Sequence, residues 1–367
     1  MDIKDLEKYI PDGPGLSEEE FERLAKPRVL KIKKLSKEES QEQLKKYLDN
    51  MEKRENFVKR MYEHLKSEFK SGESVYVPSG NKEDLMYPGI KDSIYAHEKE
   101  RGFDFHKFFK AGHVASSQAA CFNLFMPIMK SGHAAEILSA VKPDIDRIDT
   151  EELDHGFCFE YWREDPLNDE SRGLLNDHSK TAGTDADFAL RYIDKDGKRC
   201  LWLIEHKLTE REFTQCNVIH NGKHPDELEH CVSYTPEQLM SDPQKCYYTR
   251  VRHFDYWEKT KEFGCFPGMD VKKAGCPFKD GMCQLWRNVL LAKAAREAYG
   301  YDKVYFSVLK PQANAALDAS IKSFKAIVEP GLFSVITPAA LVEATARFDD
   351  DFTRDWVEWY KRVYLDF

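Results

Sequence analysis

Two apolar runs, Phe188-Ala-Leu-Arg-Tyr-Ile193 and Cys200-Leu-Trp-Leu-Ile-Glu-His-Lys-Leu208, flank the polar linker Asp194-Lys-Asp-Gly197. Aromatic, β-branched and aliphatic residues in runs this short, joined by an Asp/Gly-containing linker, predict a β-hairpin with a loop slightly longer than the two-residue minimum. Gly156-Phe-Cys-Phe-Glu-Tyr-Trp162 alternates in part and predicts an earlier strand, and Lys303–Leu309 and Leu332–Ile336 predict two later ones. The pattern turns helical over His113–Met129, where Ala115, Ala119, Phe122 and Met126 fall three or four apart. It does so again over Gln284–Tyr299, with Leu285, Val289 and Ala292 in register and Gly300 as a left-handed stop. Thr337-Pro-Ala-Ala predicts one more helix, with a threonine cap and proline at its first position.

The N-terminal part reads differently. Leu16-Ser-Glu-Glu-Glu-Phe carries a capping-box pattern, and Ser36 to Phe69 is charged, with Leu44, Leu48, Met51, Phe57 and Met61 at sparse helical spacing. One or two long solvated helices are expected there. Lys26, Arg28, Lys31, Lys33, Lys34 and Lys37, with Arg23 upstream, form a basic stripe that could track a phosphate backbone. Glu38, Glu39 and Glu42 directly after it suit a solvated helix face equally well. Val77-Pro-Ser-Gly to Pro88-Gly marks a loop, so the expected division is a charged helical extension at 1–76 and a main domain at 77–367.

Composition narrows the function classes. A formal charge of −9 over 367 residues is unsuited to coating nucleic acid non-specifically, so any such affinity would come from a local cleft. No apolar run approaches the ~20 residues of a membrane span. Met1-Asp-Ile-Lys-Asp-Leu-Glu is too acidic for a signal peptide, and a soluble, cytoplasmic protein is expected. Gly-x-Ser-x-Gly, Walker and Gly-x-Gly-x-x-Gly patterns are absent, which removes hydrolase triads, phosphate-loop ATPases and dinucleotide enzymes.

The hairpin carries the candidate chemistry. Side chains two apart on a strand share a face, so Glu205 and Lys207 point one way and His206 the other. Asp187, at the entrance of the preceding antiparallel strand, can lie across from them. Two buried carboxylates beside a lysine are costly unless a cation compensates them. An all-oxygen donor set points to Mg²⁺ or Mn²⁺, and the lysine could position a water and stabilise charge building on a phosphate. Alone, Glu-x-Lys is also an ordinary strand-surface ion pair.

With these residues in place, the chain resembles the PD-(D/E)xK nuclease superfamily, in which the first acid opens the second core strand and Glu-x-Lys closes the third. Within it, Ser116-Ser-Gln118 with Asn123-Leu-Phe, Thr184-x-x-Asp187, Glu205-x-Lys207-x-Thr-Glu210 and Gln284-Leu-Trp-Arg-Asn288 are similar to a branch of bacterial restriction endonucleases, over roughly residues 105 to 345. The resemblance implies an α/β fold: a restriction-endonuclease-like αβββαβ core with a mixed central sheet. It also implies a metal-dependent deoxyribonuclease with Asp187 and Glu205 as metal ligands, the His206 backbone carbonyl as a further ligand and Lys207 as the catalytic lysine. No proline precedes the first acid, and Asp185 competes with Asp187 for that role. Gln118, Gln284 and Arg287 are candidates to touch substrate. Implied partners are nucleic acid, DNA first, a second copy of the chain, and a methylase or helicase whose identity stays open. A catalytically silent nucleic-acid-binding or metal-stapled module of the same fold is the alternative.

Nine cysteines, an odd number, argue against a disulfide framework. Six of them fall in a Cys/His-rich insertion expected at about 211–283. Some nucleases of the superfamily carry a four-cysteine iron–sulfur cluster, and the resemblance makes Cys216, Cys265, Cys276 and Cys283 candidates for one. Cys216, His220, His224, His230 and Cys231 would suit zinc by ligand type. Neither grouping has compact Cys-x-x-Cys spacing, and buried free cysteine acting as a small apolar residue is the other reading.

Overall fold

A computed structural model of the chain describes residues 56–179, 183–216, 218, 225–279 and 281–367, all within the unit Arg54–Phe367. The capping-box pattern, the basic stripe and most of the predicted N-terminal helices lie outside the described residues. A helix, α1, runs over 56–68. It is not the solvated helix that the charge pattern suggested, because Phe57, Val58, Met61 and Leu65 are buried. They pack near the C-terminal end of the chain, where His64 Nε2 lies 2.7 Å from the Arg362 carbonyl and the Phe57 ring meets Phe367.

After α1 come α2 (Lys91–Arg101), α3 (Ser117–Lys130) and α4 (Ala134–Ser139), then the strands β1 (Ile145–Ile148), β2 (Phe157–Tyr161), β3 (Ala186–Asp194) and β4 (Arg199–His206). The predicted start of α3 at His113 moves to Ser117, because the Ser116 hydroxyl accepts from Ala119 N and begins the helix there. The helix is buried from Gln118 to Ile128, so its sparse apolar stripe understated its burial. Four short helices follow, α5 (Pro225–Ser233), α6 (Pro236–Ser241), α7 (Tyr247–Arg252) and α8 (Tyr256–Phe263). The chain then completes α9 (Cys283–Tyr299), β5 (Lys303–Leu309), α10 (Asp318–Lys325), β6 (Phe333–Ile336), α11 (Pro338–Thr345) and α12 (Asp351–Tyr364).

The sheet is mixed. β3 and β4 form the expected antiparallel hairpin, closed by Asp194, whose side chain accepts from the Asp196 and Lys198 amides, and by Gly197 at φ 76°. β1 and β2 both pair antiparallel with the outer edge of β3. β4, β5 and β6 run parallel, and α9 supplies the crossover that a parallel pair requires. The αβββαβ order is present, with β1 and β6 added. Alternation divides the sheet between two cores. Phe188, Leu190, Trp202 and Ile204 pack with residues of α3 and α12 on one side. Ala189, Leu201, Leu203, Phe306 and Val308 pack with α9 and the short helices on the other. Gly300 stops α9 at φ 68°, as its position predicts. The Thr337 side chain makes no capping hydrogen bond, and Pro338 alone marks that start.

Candidate active site

Strand register builds the site. β2 pairs Phe159 with Phe188 and Tyr161 with Ala186, and β3 pairs Phe188 with Ile204. One step along these ladders, Glu160 falls opposite Asp187 and Asp187 opposite Glu205. Three carboxylates therefore cross the sheet in a row. Lys207 continues past the end of β4, its N–H donating to the Leu309 carbonyl at 2.8 Å, and its Nζ lies 2.7 Å from Glu205 Oε1. Glu205 and Lys207 thus meet as their spacing predicts, and both are nearly buried, at 3 % and 8 % exposure. Asp187 Oδ2 accepts from the His206 N–H at 2.6 Å, tying the first acid to the second strand.

Glu160 was not singled out in the sequence. It has a positive φ of 50° inside a strand, where a non-glycine residue is strained by about 1–3 kcal/mol. The twist interrupts the alternation: Phe159 packs in one core, whereas Tyr161 packs in the other. An acid alone in an aromatic strand beside the hairpin was the available signal.

The electrostatics follow from crowding. Burial first, then the charges of Glu205 and Glu160, push the Asp187 carboxyl well above the usual range. Burial and Asp185 do the same to Glu160. Asp185 is pushed up to about 6 by burial and Glu205, with Arg287 pulling the other way. Burial works against the Lys207 ammonium, but Glu205, Glu210 and Asp187 outweigh it and hold that group charged. Glu160, Asp185, Asp187 and Glu205, with Glu210 close by, face the cations Lys207 and Arg287, an excess of negative charge that a hard divalent ion would relieve. The all-oxygen set fits such an ion by donor chemistry. Among the described residues no group of three or more His, Cys, Asp and Glu is arranged as metal ligands, so the fit is one of chemistry and charge.

The helices complete the surroundings. Gln284 Nε2 donates to Glu205 Oε1 at 2.7 Å while its Oε1 accepts from Thr214 N at 3.0 Å, so it holds an acid and a loop together. Asn288, four residues on and on the same helix face, donates to Glu205 Oε2 at 2.8 Å. That role went unassigned in the sequence, although Asn288 closes the Gln284-Leu-Trp-Arg-Asn288 motif. Gln118 Oε1 accepts from His106 N at 2.8 Å and its Nε2 donates to Glu160 Oε1 at 2.5 Å. Arg287 lies within electrostatic range of Asp185. Gln118 and Gln284 therefore act first on the acids.

The cysteine candidates separate. Cys216, Cys276 and Cys283 line one cavity with Cys231 and Cys246, whereas Cys265 is not among its walls and sits buried near Lys293 and Glu329. His230 lines the same cavity, and His220 and His224 lie outside the described residues.

A mixed-sheet α/β fold with acids and a lysine gathered where its central strands end defines a restriction-endonuclease-like protein. The chain belongs to the family described as restriction endonuclease associating with ARP, whose family model matches residues 51–365. No curated protein and no solved structure matches it. Among the described residues no helix is long and apolar enough to cross a membrane.

Proposed function

We propose that this chain is a metal-dependent nuclease of the PD-(D/E)xK type that hydrolyses phosphodiester bonds in DNA. The reading rests chiefly on one observation, the in-register row Glu160–Asp187–Glu205 with Lys207 ion-paired at its end. Asp187 and Glu205, with the His206 carbonyl, would hold Mg²⁺ or Mn²⁺. Such an ion, when bound, polarises a phosphoryl oxygen and lowers the pKa of a water. Lys207, held charged by its acidic neighbours, orients the attacking water and counters negative charge developing on the phosphate. Gln284 and Asn288 fix both oxygens of Glu205, and Gln118 fixes Glu160. Preorganised dipoles of this kind need no rearrangement as charge builds. The family's description names an associate, ARP, and we extend that association to this chain as part of the same reading.

The test is cleavage by the full chain of labelled linear duplex, circular duplex, single-stranded DNA and RNA, with Mg²⁺ or Mn²⁺, beside Asp187→Ala, Asp185→Ala and Lys207→Ala. Cleavage that is lost in Asp187→Ala and Lys207→Ala supports the reading. Equal inertness of every protein on every substrate overturns it. Loss in Asp185→Ala and Lys207→Ala but not in Asp187→Ala moves the first acid to Asp185.

A further inference from the structure

On the far side of α9 from Glu205's strand, five cysteines line a single cavity of about 30 Å³. They come from separate places. Cys216 follows the β4 loop, Cys231 lies in α5, Cys246 caps the start of α7, and Cys276 precedes α9, which opens at Cys283. The backbone draws two of these segments together, with the Cys276 N–H donating to the Cys231 carbonyl at 2.8 Å and Gly275 N to the Tyr234 carbonyl at 3.0 Å. No disulfide joins any of the five.

We propose that Cys216, Cys231, Cys246 and Cys276 hold a thiophilic metal centre, a zinc ion or an iron–sulfur cluster. Each of the four lies within electrostatic range of the other three, whereas Cys283 reaches only Cys216 and Cys246. Four thiolates are a complete ligand set for either centre. The four sulfurs line a void, and among the described residues no three His, Cys, Asp or Glu side chains are placed as metal ligands, so the proposed centre draws the thiols inward as it binds. The surroundings suit an anionic centre. A divalent ion with four thiolates carries about two negative charges, and Lys245 and Lys279 line the same cavity. Trp257, Phe278 and Trp286 close the apolar side and limit access of water.

The alternative fate, cysteines serving merely as small apolar residues, accounts for Cys265 but not for this grouping. Single buried thiols need no company, whereas here four segments distant in sequence each deliver one to the same void. The centre would tie α5 and the start of α7 to the loop that holds Cys216 and to the segment of Cys276 that leads into α9. Its reach extends to the acids, because Thr214, two residues before Cys216, donates to Gln284, which holds Glu205. The inference stands on the cavity and does not depend on the nuclease reading.

The full chain, purified without a metal-affinity tag both aerobically and under nitrogen, is assayed for zinc, iron and acid-labile sulfide and by visible absorption. The expected result is about one zinc per chain, or about four irons with sulfide and visible absorbance. That content should be lost in Cys231→Ser/Cys276→Ser and retained in Cys265→Ser. Should the double variant fail to fold, the wild type decides: metal that resists dialysis, leaves on chelation and lowers the melting temperature as it leaves supports the proposal. Less than about a tenth of a metal per chain in both preparations, or full metal content in soluble Cys231→Ser/Cys276→Ser, overturns it.

Discussion

Asn288 Nδ2 lies 2.8 Å from Glu205 Oε2, and both side chains are almost wholly buried, at 1 % and 3 % exposure. A carboxylate oxygen removed from water needs such a donor, and losing it costs about 1–3 kcal/mol. On the proposed reading it also orients the oxygen toward a metal ion, and groups that orient metal ligands are typically worth 10–100-fold in affinity. Asn288→Ala is therefore expected to weaken Mn²⁺ binding by about 10–100-fold. It should also lower the denaturant midpoint in the absence of metal. Isothermal titration with Mn²⁺ and urea melts measure the two effects. Wild-type Mn²⁺ affinity in Asn288→Ala would remove the bond's proposed role.

The acid row gives the metal-free protein an unusual pH response. A carboxyl whose native pKa is raised keeps its proton in the folded state after the unfolded chain has lost it, so folding weakens as pH climbs. For Asp185 this loss runs from the unfolded value near 4 up to about 6, and for Asp187 and Glu160 it extends further upward. Asp187→Asn, which can still accept from His206 N, should melt higher than wild type at pH 7.5 with EDTA present, by about 2–4 °C per kcal/mol relieved. The advantage should shrink toward pH 4 and, on the proposed reading, reverse with Mg²⁺. A lower melting temperature for Asp187→Asn at pH 7.5 in EDTA would show that the row is not repulsive.

How much of this was legible follows from the kind of signal each residue leaves. The hairpin was readable because its apolar runs and Asp194–Gly197 linker are local, and α9 because Gly300 ends it. Lys207 and Glu205 needed only the two-residue repeat of a strand. Glu160 and Asn288 required register and helix packing, which bring together groups 45 and 83 residues from Glu205. The burial of α1 was hidden because its partner lies at the opposite end of the chain. The cysteines were left as two overlapping groupings because their spacing is not compact; the fold places Cys231 and Cys246 beside Cys216, Cys276 and Cys283 and leaves Cys265 outside that cavity.

His97 offers a second titration of opposite sense. Its Nε2 accepts from Phe159 N at 3.0 Å, so Nδ1 carries the proton and donates to Asp154 Oδ2 at 2.6 Å. Burial holds the imidazole below its ordinary pKa despite Asp154. The unfolded chain takes up this proton first, so the stability His97 contributes is present above about pH 6.5 and is lost as pH falls below it. His97→Phe should be less stable than wild type at pH 7.5, by about 1–3 kcal/mol for the stranded Phe159 N–H. The gap should narrow at pH 5.5. Urea midpoints at the two pH values test this, and an unchanged gap would mean that His97 does not titrate in that interval.

Glu160 combines two costs that substitutions can separate. Its φ of 50° is unfavourable for any residue with a Cβ by about 1–2 kcal/mol, and its carboxylate stands opposite Asp187. Glu160→Gln removes the charge and keeps the strained backbone, whereas Glu160→Gly removes both. In EDTA at pH 7.5 the expected order of melting temperature is Glu160→Gly, then Glu160→Gln, then wild type. On the proposed reading both variants lose metal-dependent cleavage, since neither retains the acid that Gln118 orients. The glycine variant tests the backbone specifically: should it melt below Glu160→Gln, the left-handed conformation carries no strain for glycine to relieve. Wild-type cleavage by Glu160→Gln would instead confine the working acids to Asp187 and Glu205.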